Sequence, residues 1–276
     1  MDKAVPGFET QGLVAGYGGA PILDGLDVAL PRGAFTVLLG PNGSGKSTLL
    51  RALARLLPLK AGQVVHEGEA IARMPSRLLA RRIGILAQGP TAPEGLRVRD
   101  LVEQGRYPHR SLFGGWSEAD ATACEAALRL TAMTDLAERP LDALSGGQRQ
   151  RAWIAMALAQ ETGTLLLDEP TTFLDIAHQI EVLALVRRLV ETRGTTVVAV
   201  LHDINQAARY GDHLVLLKAG RIRAAGGPGE VLVPATIREV FGIEASVIAD
   251  PETGTPFCIP KLCQPGLAGD PGKDKT

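Results

Sequence analysis

Residues Gly40-Pro-Asn-Gly-Ser-Gly-Lys-Ser47 constrain this chain more than any other segment. They fit the spacing G-x-x-x-x-G-K-[S/T], directly after the apolar run Phe35–Leu39 and ahead of a segment expected to be helical. A strand that stops at a glycine-rich turn and restarts as a helix aims unpaired backbone N–H groups at one spot. The helix N-terminus adds about 0.5 positive charge there. Gly43 and Gly45 permit the dihedrals that let those groups converge, Lys46 supplies a full charge for β- and γ-phosphates, and the Ser47 hydroxyl can ligate Mg²⁺. Gly40, Pro41, Asn42, Gly43, Ser44, Gly45, Lys46, Ser47 and Thr48 are the expected nucleotide contacts.

The surrounding chain alternates short apolar strands with helices, the pattern of an α/β protein with a largely parallel sheet. Strands are expected near 13–15, 28–30, 35–39, 64–66 and 83–87, with a helix from the glycine-rich turn to about Leu57, where Pro58 stops it. From Gly89 to Thr162 strand signals give way to helical ones. Ser117-Glu-Ala-Asp120 is a capping sequence for a helix to about Thr131, and a second helix runs from about Gly146 to Gln160. Strands return at 164–167 and 196–201, with a helix at 176–190 between them, and Lys218-Ala-Gly-Arg221 reads as a tight turn. The expected organisation is one core formed by 1–88 and 163–263, a helical subdomain at 89–162, and a flexible tail at 264–276.

Composition removes several classes of function. A chain of 276 residues, 45% hydrophobic and 21% charged, is long enough to bury a core without disulfides and is not wholly disordered. A formal net charge of −1 provides no basic field to hold nucleic acid or anionic lipid. No apolar run approaches the roughly 18 residues of a membrane span, and the first ten residues contain Asp2, Lys3 and Glu9 rather than an apolar signal core. Cys124, Cys258 and Cys263 are too few for a disulfide framework, and the last two are wrongly spaced for zinc. A chain in a reducing compartment is expected, with any membrane role exerted through partners.

Two further segments choose among proteins that share the phosphate loop. Thr164-Leu-Leu-Leu-Asp-Glu169 is an apolar strand ending in two acids. Asp168 is placed to hold Mg²⁺ through Ser47 or water, and Glu169 to orient and partly deprotonate an attacking water. Leu144-Ser-Gly-Gly-Gln148 opens a helix with a second anion-binding N-terminus. One nucleotide needs one phosphate cradle, so a second implies that the chain completes the site of another copy. With the strand ending in Leu201-His202, the set resembles the nucleotide-binding subunit of an ATP-binding-cassette (ABC) transporter, over about 13–226 and extending toward 260.

That resemblance implies a P-loop NTPase core, with a mostly parallel sheet, an N-terminal antiparallel strand region and a helical subdomain insertion. It implies ATP and Mg²⁺ as ligands, with Ser47, Gln88 and Asp168 toward the metal. It implies Tyr17 stacked on adenine, Gln88 reaching the metal and the water, His202 on the γ-phosphate, and Asp175 at a dimer interface. Ser145, Gly146, Gly147 and Gln148 would then bind the ATP of a second copy in a head-to-tail homodimer. The implied partners are two transmembrane permease subunits and, indirectly, a siderophore-binding protein, with the chain peripheral on the cytoplasmic face of the inner membrane and no nucleic acid involved. Coupling is expected through the stretch from Gln88 to Trp116, which holds Tyr107, Leu112 and Phe113.

Thr172-Phe173 departs from the small Ser-Ala pair usual in such cassettes. Together with Gly105-Arg-Tyr-Pro-His109 and Gln148-Arg-Gln-Arg-Ala-Trp-Ile154, it resembles the ferric-siderophore importers, of the ferric-enterobactin type. Haem and vitamin B12 importers are the alternative within the family. A soluble cassette ATPase acting on nucleic acid or ribosomes is the alternative outside it, disfavoured by the single cassette and the charge balance.

Overall fold

The structure is a computed structural model that describes residues 5–110, 115–172 and 174–262. Its first half runs β1 (Phe8–Ala15), β2 (Leu23–Leu30), β3 (Phe35–Leu39), α1 (Lys46–Leu53), β4 (Leu59–His66), β5 (Glu69–Ala70), α2 (Ser76–Arg82) and β6 (Ile83–Leu86). Among the described residues, three α-helices follow before the next strand: α3 (Val98–Gln104), α4 (Glu118–Leu130) and α5 (Gly146–Ala159). The second half runs β7 (Thr164–Asp168), α6 (Ile176–Arg193), β8 (Thr196–Val200), α7 (Ile204–Tyr210), β9 (His213–Lys218) and β10 (Arg221–Gly226). It closes with α8 (Pro228–Val231), α9 (Pro234–Phe241) and the pair β11 (Ala245–Ala249) and β12 (Pro256–Pro260).

Strand order explains both halves of the expected mixed architecture. The central sheet is ordered β10-β9-β3-β8-β7-β6, parallel except for the β9–β10 hairpin, whose turn places Ala219 and Gly220 at φ 50° and 74°. A second, antiparallel sheet is ordered β2-β1-β4-β5. Both faces of the central sheet are covered, so its strands are continuous apolar runs rather than alternating ones. Val197, Ala199, Leu165 and Leu167 point to the core shared with α3, α4, α5 and α6. Val198, Val200 and Leu166 point to a second core, shared with α1 and the antiparallel sheet.

Helix α1 ends earlier than the sequence suggests, at Leu53 rather than near Leu57. Pro58 is not the cause. Ala54 is the C-cap, Arg55 adopts a left-handed φ of 56°, and the N–H groups of Arg55 and Leu56 return to the carbonyls of Ala52 and Arg51. This is a Schellman ending with arginine in the place glycine usually takes. The arginine's guanidinium bonds the carbonyls of Ile71 and Met74 and the Ser76 hydroxyl, tying the end of α1 to the approach to α2. The capping sequence at 117–120 behaves as read: the Ser117 hydroxyl accepts from Asp120 N–H while the Asp120 carboxylate accepts from Ser117 N–H.

One buried guanidinium organises the helical layer. Arg106, 3% exposed, donates to Asp120 Oδ1 at 2.9 Å, to the Ala159 carbonyl at 2.7 Å and to Glu161 Oε2 at 2.8 Å. The Ser117 hydroxyl, with Arg106 beside it, holds the Asp120 carboxyl down at about 2. From the core side, Arg77 and Arg81 of α2 both donate to the Pro108 carbonyl at 2.9 Å. The expected docking residues Leu112 and Phe113, together with Phe173, Cys263 and the tail 264–276, lie outside the described residues.

Burial also sets a pH dependence. His66 is buried, its Nε2 is 2.9 Å from the Thr164 hydroxyl, and its Nδ1 has no partner. Desolvation lowers the pKa of His66, and the same cause lowers that of His213, whose Nε2 is likewise unpartnered. Below about pH 6.5 the unfolded chain takes up protons that these folded imidazoles refuse, so stability is full above that pH and declines beneath it. The decline should approach, at most, about 1.4 kcal/mol per pH unit for each histidine. Urea midpoints between pH 7.5 and 5.5 should fall less steeply for His66→Gln; an unchanged slope would remove His66 as a cause.

Candidate nucleotide site

The phosphate loop joins β3 to α1, and its geometry follows from what packs on it. Gly45, the N-cap of α1, sits at φ 104°, and a Cβ there would lie 2.6 Å from Leu23 Cδ2. Backbone conformation and the antiparallel sheet therefore both require glycine at this point. Lys46 is buried, and its Nζ donates to the carbonyls of Gly40 at 2.8 Å and Pro41 at 3.0 Å. Burial lowers its pKa, against the opposing pull of Glu169 and Asp168. The ammonium is thus held by carbonyl oxygens, and an anionic ligand in the loop offers it stronger acceptors.

A cavity of about 520 Å³ opens over this loop. Asn42, Gly43, Ser44, Gly45, Lys46, Ser47 and Thr48 line one side, while Gln88, Glu169, Thr172 and His202 line the other. Glu169 and His202 follow the adjacent strands β7 and β8, so the parallel sheet delivers both to one edge. The Glu169 carboxylate is fixed by three contacts. Gln88 Nε2 donates to Oε2 at 2.8 Å, the Thr172 hydroxyl donates to the same oxygen at 3.0 Å, and His202 Nε2 lies 2.9 Å from Oε1. Glu169 itself is at φ 54°, a left-handed conformation that costs on the order of 1–3 kcal/mol and turns the side chain out of the strand.

Asp168 stands one layer deeper. Its Oδ1 accepts from the Ser47 hydroxyl at 2.8 Å, whereas Oδ2 is buried without a partner. Burial pushes this carboxyl's pKa up, more than the Ser47 bond lowers it. An unsatisfied buried carboxylate oxygen beside a hydroxyl is a hard-oxygen donor set that fits Mg²⁺.

Other expected contacts take different positions. Tyr17 is 54% exposed, is absent from the cavity wall and accepts a 2.8 Å bond from Arg51, whose guanidinium stands 5.8 Å over its ring. Ser145, Gly146, Gly147 and Gln148 also lie outside the cavity. Ser145 caps α5 in a reciprocal box with Gln148 and is exposed. Asp175 caps α6 and holds His178 through both the backbone N–H, at 2.9 Å, and Nδ1, at 2.7 Å. Sequence reasoning missed Ile22 and Thr172 as lining residues. Thr172 carried a signal, three residues after Glu169 across a tight turn, while Ile22 carried none.

Residues 23–172 match the ABC transporter family model, which spans both the phosphate loop and the two terminal acids. The chain belongs to the ABC transporter family. It is similar to the "Probable siderophore transport system ATP-binding protein" of Bacillus subtilis, 53% identical over 253 residues that cover 92% of each chain. It is also similar to the ferric enterobactin transport ATP-binding protein of Escherichia coli, 48% identical over 260 residues, covering 94% of this chain and 96% of that one. Among solved structures, "An inward-facing conformation of a putative metal-chelate type ABC transporter" aligns with TM-score 0.81 at 28% identity, covering 94% of this chain and 98% of that one. This ABC chain is an ATP-binding ATPase subunit with the P-loop NTPase fold.

The Ser145–Gln148 segment is tied to Asp175 by packing. A Cβ on Gly147 would lie 2.5 Å from Cδ2 and 2.7 Å from Cγ of His178, so the glycine lets the imidazole lie against the start of α5. Gly147→Ala should cost about 1–3 kcal/mol by forcing His178 off Asp175. In a double-mutant cycle of denaturation midpoints, His178→Ala should recover most of that loss; strict additivity of the two changes would reject the contact as its source.

Proposed function

We propose that this ABC ATPase couples ATP binding and hydrolysis, in a head-to-tail homodimer, to import of an iron(III)-siderophore through two transmembrane permease subunits at the cytoplasmic face of the cell membrane. The observation that carries the dimer is the second phosphate cradle: the exposed, capped helix N-terminus at Ser145 lies outside this chain's own nucleotide cavity. A cradle that serves no nucleotide of its own serves one brought by another copy. The siderophore assignment rests on the similarity of nearly the whole chain to siderophore-transport ATP-binding proteins, with a loaded binding protein as the indirect partner.

In this reading the loop from Gly40 to Thr48 holds the phosphates and Lys46 exchanges its carbonyl acceptors for phosphate oxygens. Tyr17 supplies the adenine face once Arg51 yields its hydroxyl. Ser47, Asp168 and Gln88 would hold Mg²⁺, which would offset phosphate charge beside Glu169. Glu169, held by Thr172 once Gln88 and His202 turn to the metal and the phosphate, orients water and accepts its proton, an effect worth roughly 10²–10⁴-fold. His202 is then available to the γ-phosphate. Across the interface Ser145, Gly146, Gly147 and Gln148 bind the same γ-phosphate, with Asp175 at the boundary.

Energetics favour this arrangement as a motor. Moving a closed/open ratio from 1:99 to 99:1 takes about 5.5 kcal/mol of differential binding. Each charge-assisted hydrogen bond contributes roughly 1.5–3 kcal/mol, so one or two per nucleotide close the dimer and loss of the γ-phosphate reopens it. We assign the segment 89–162 to the helical subdomain that moves with Ser145, and the stretch from Gln88 to Trp116 to the permease contact.

Two experiments test these assignments. Ser145→Arg and Lys46→Ala subunits should each be inactive, yet mixing them should restore ATPase activity, because one of the two sites in a mixed dimer carries neither defect. Mixed dimers with no activity above either parent would defeat the composite site. In the reconstituted transporter, binding protein loaded with ferric siderophore should stimulate ATP hydrolysis where haem or cobalamin does not; the reverse selectivity would reassign the cargo.

A further inference from the structure

An apolar surface continues from Asp175 away from the nucleotide. Ile176 and Ile180, one turn apart at the start of α6, are 74% and 47% exposed. With Phe257 of β12 they wall a cavity of about 400 Å³. The pairings Ile248↔Phe257 and Ser246↔Ile259 put Ile248 and Ile259 on the same side of the hairpin as Phe257, and both are exposed. Ala245 and Cys258 point the other way, into a small core with Ile237.

The principal polar side chains of this cavity are already engaged. Asp203 caps α7, Asn205 bonds the Cys258 backbone in both directions, Gln206 bonds Gln179, and Arg209 pairs with Glu252. What remains on offer is aliphatic and aromatic surface, which fits another protein surface rather than a small polar ligand.

Continuity identifies the occupant. Ile176 follows Asp175, whose carboxylate holds His178, and the His178 ring lies on Gly147 beside Ser145. The Ser145 cradle, Asp175 and the isoleucines therefore form one unbroken surface, and a copy that brings its nucleotide to Ser145 is carried over Ile176. We propose that the face formed by Ile176, Ile180 and Phe257 packs on a second copy of this chain, extending the dimer contact from the nucleotides to the C-terminal hairpin. The proposal rests on the composite-site reading above. Five side chains fall short of the roughly 1,200 Å² that a stable pair buries, so this contact reinforces a nucleotide-held dimer and does not make one alone. In a two-fold dimer the same face is used by both copies, and each substitution counts twice.

The test uses the full-length Glu169→Gln subunit, which retains ATP because its water-orienting carboxylate is gone, and measures the dimer Kd by sedimentation velocity with Mg-ATP. Phe257→Glu and Ile180→Glu in that background should each raise the Kd at least about tenfold, with ATP affinity and melting temperature held. A folded variant that dimerises with the parental Kd overturns the proposal. Should the glutamates disturb folding, Ile180→Cys in a Cys263→Ser background decides it. Its maleimide labelling should slow severalfold when ATP assembles the dimer, and an unchanged rate again overturns the proposal. Faster labelling without nucleotide after deletion of residues 264–276 would assign the face to the chain's own C-terminus, also overturning it. Failure of the Glu169→Gln subunit to dimerise while it binds ATP would remove the composite-site reading and this contact together. A dimer that forms but ignores Phe257 and Ile180 removes this contact alone.

Discussion

The nucleotide site depends on the burial of α1 between two sheets. Leu49, Leu50 and Leu53 of that helix are fully buried, sharing a core with Leu13 and Leu23 of the antiparallel sheet and with Leu38, Val198 and Val200 of the parallel one. Each such side chain contributes about 1.5–3 kcal/mol when fully buried, so the helix is fixed from both sides. Its N-terminus, and hence the phosphate loop, is anchored to both sheets. The central sheet then supplies the opposing wall, because β7 and β8 are parallel neighbours and their C-terminal ends emerge at the same edge.

Within that frame the charges are arranged for exchange of partners. Lys46 rests on two carbonyls, Asp168 keeps one oxygen unsatisfied, and both sit where burial works against their charged forms. Such groups gain more from an incoming opposite charge than surface groups would, because the medium around them screens poorly. Glu169 differs: its three contacts and left-handed backbone hold the carboxylate in place. The cavity thus combines buried charges whose demand is incompletely met with a carboxylate fixed by its neighbours.

The sequence made the central strands legible because burial on both faces leaves uninterrupted apolar runs, as in Leu165–Leu167 and Val197–Val200. The phosphate loop, the two acids after β7 and the capped helices at Ser117 and Ser145 were legible because each has a local chemical reason visible in a few residues. Helices α2, α7, α8 and α9 are eight residues or fewer, too short to establish a 3.6-residue period. The end of α1 was misplaced because a left-handed arginine secured by distant carbonyls leaves no glycine to read. Ile22 and the contact between Gly147 and His178 are tertiary facts, joining segments far apart in the chain.

Arg106 gives the helical layer a hub. Its guanidinium joins the segment after α3 to the start of α4 and to the C-terminal end of α5, and the adjoining Pro108 carbonyl is gripped from α2 by two arginines. Helix α5 has fourteen residues and begins at the Ser145 cap, a span of about 21 Å at 1.5 Å per residue. The helix therefore joins the Arg106 hub at one end to the Ser145 cap at the other, and between them Ala152, Ile154 and Ala155 are buried in the core shared with the central sheet. Because α5 is one continuous helix, the position of the Ser145 cap is set by how its far end is held at Arg106.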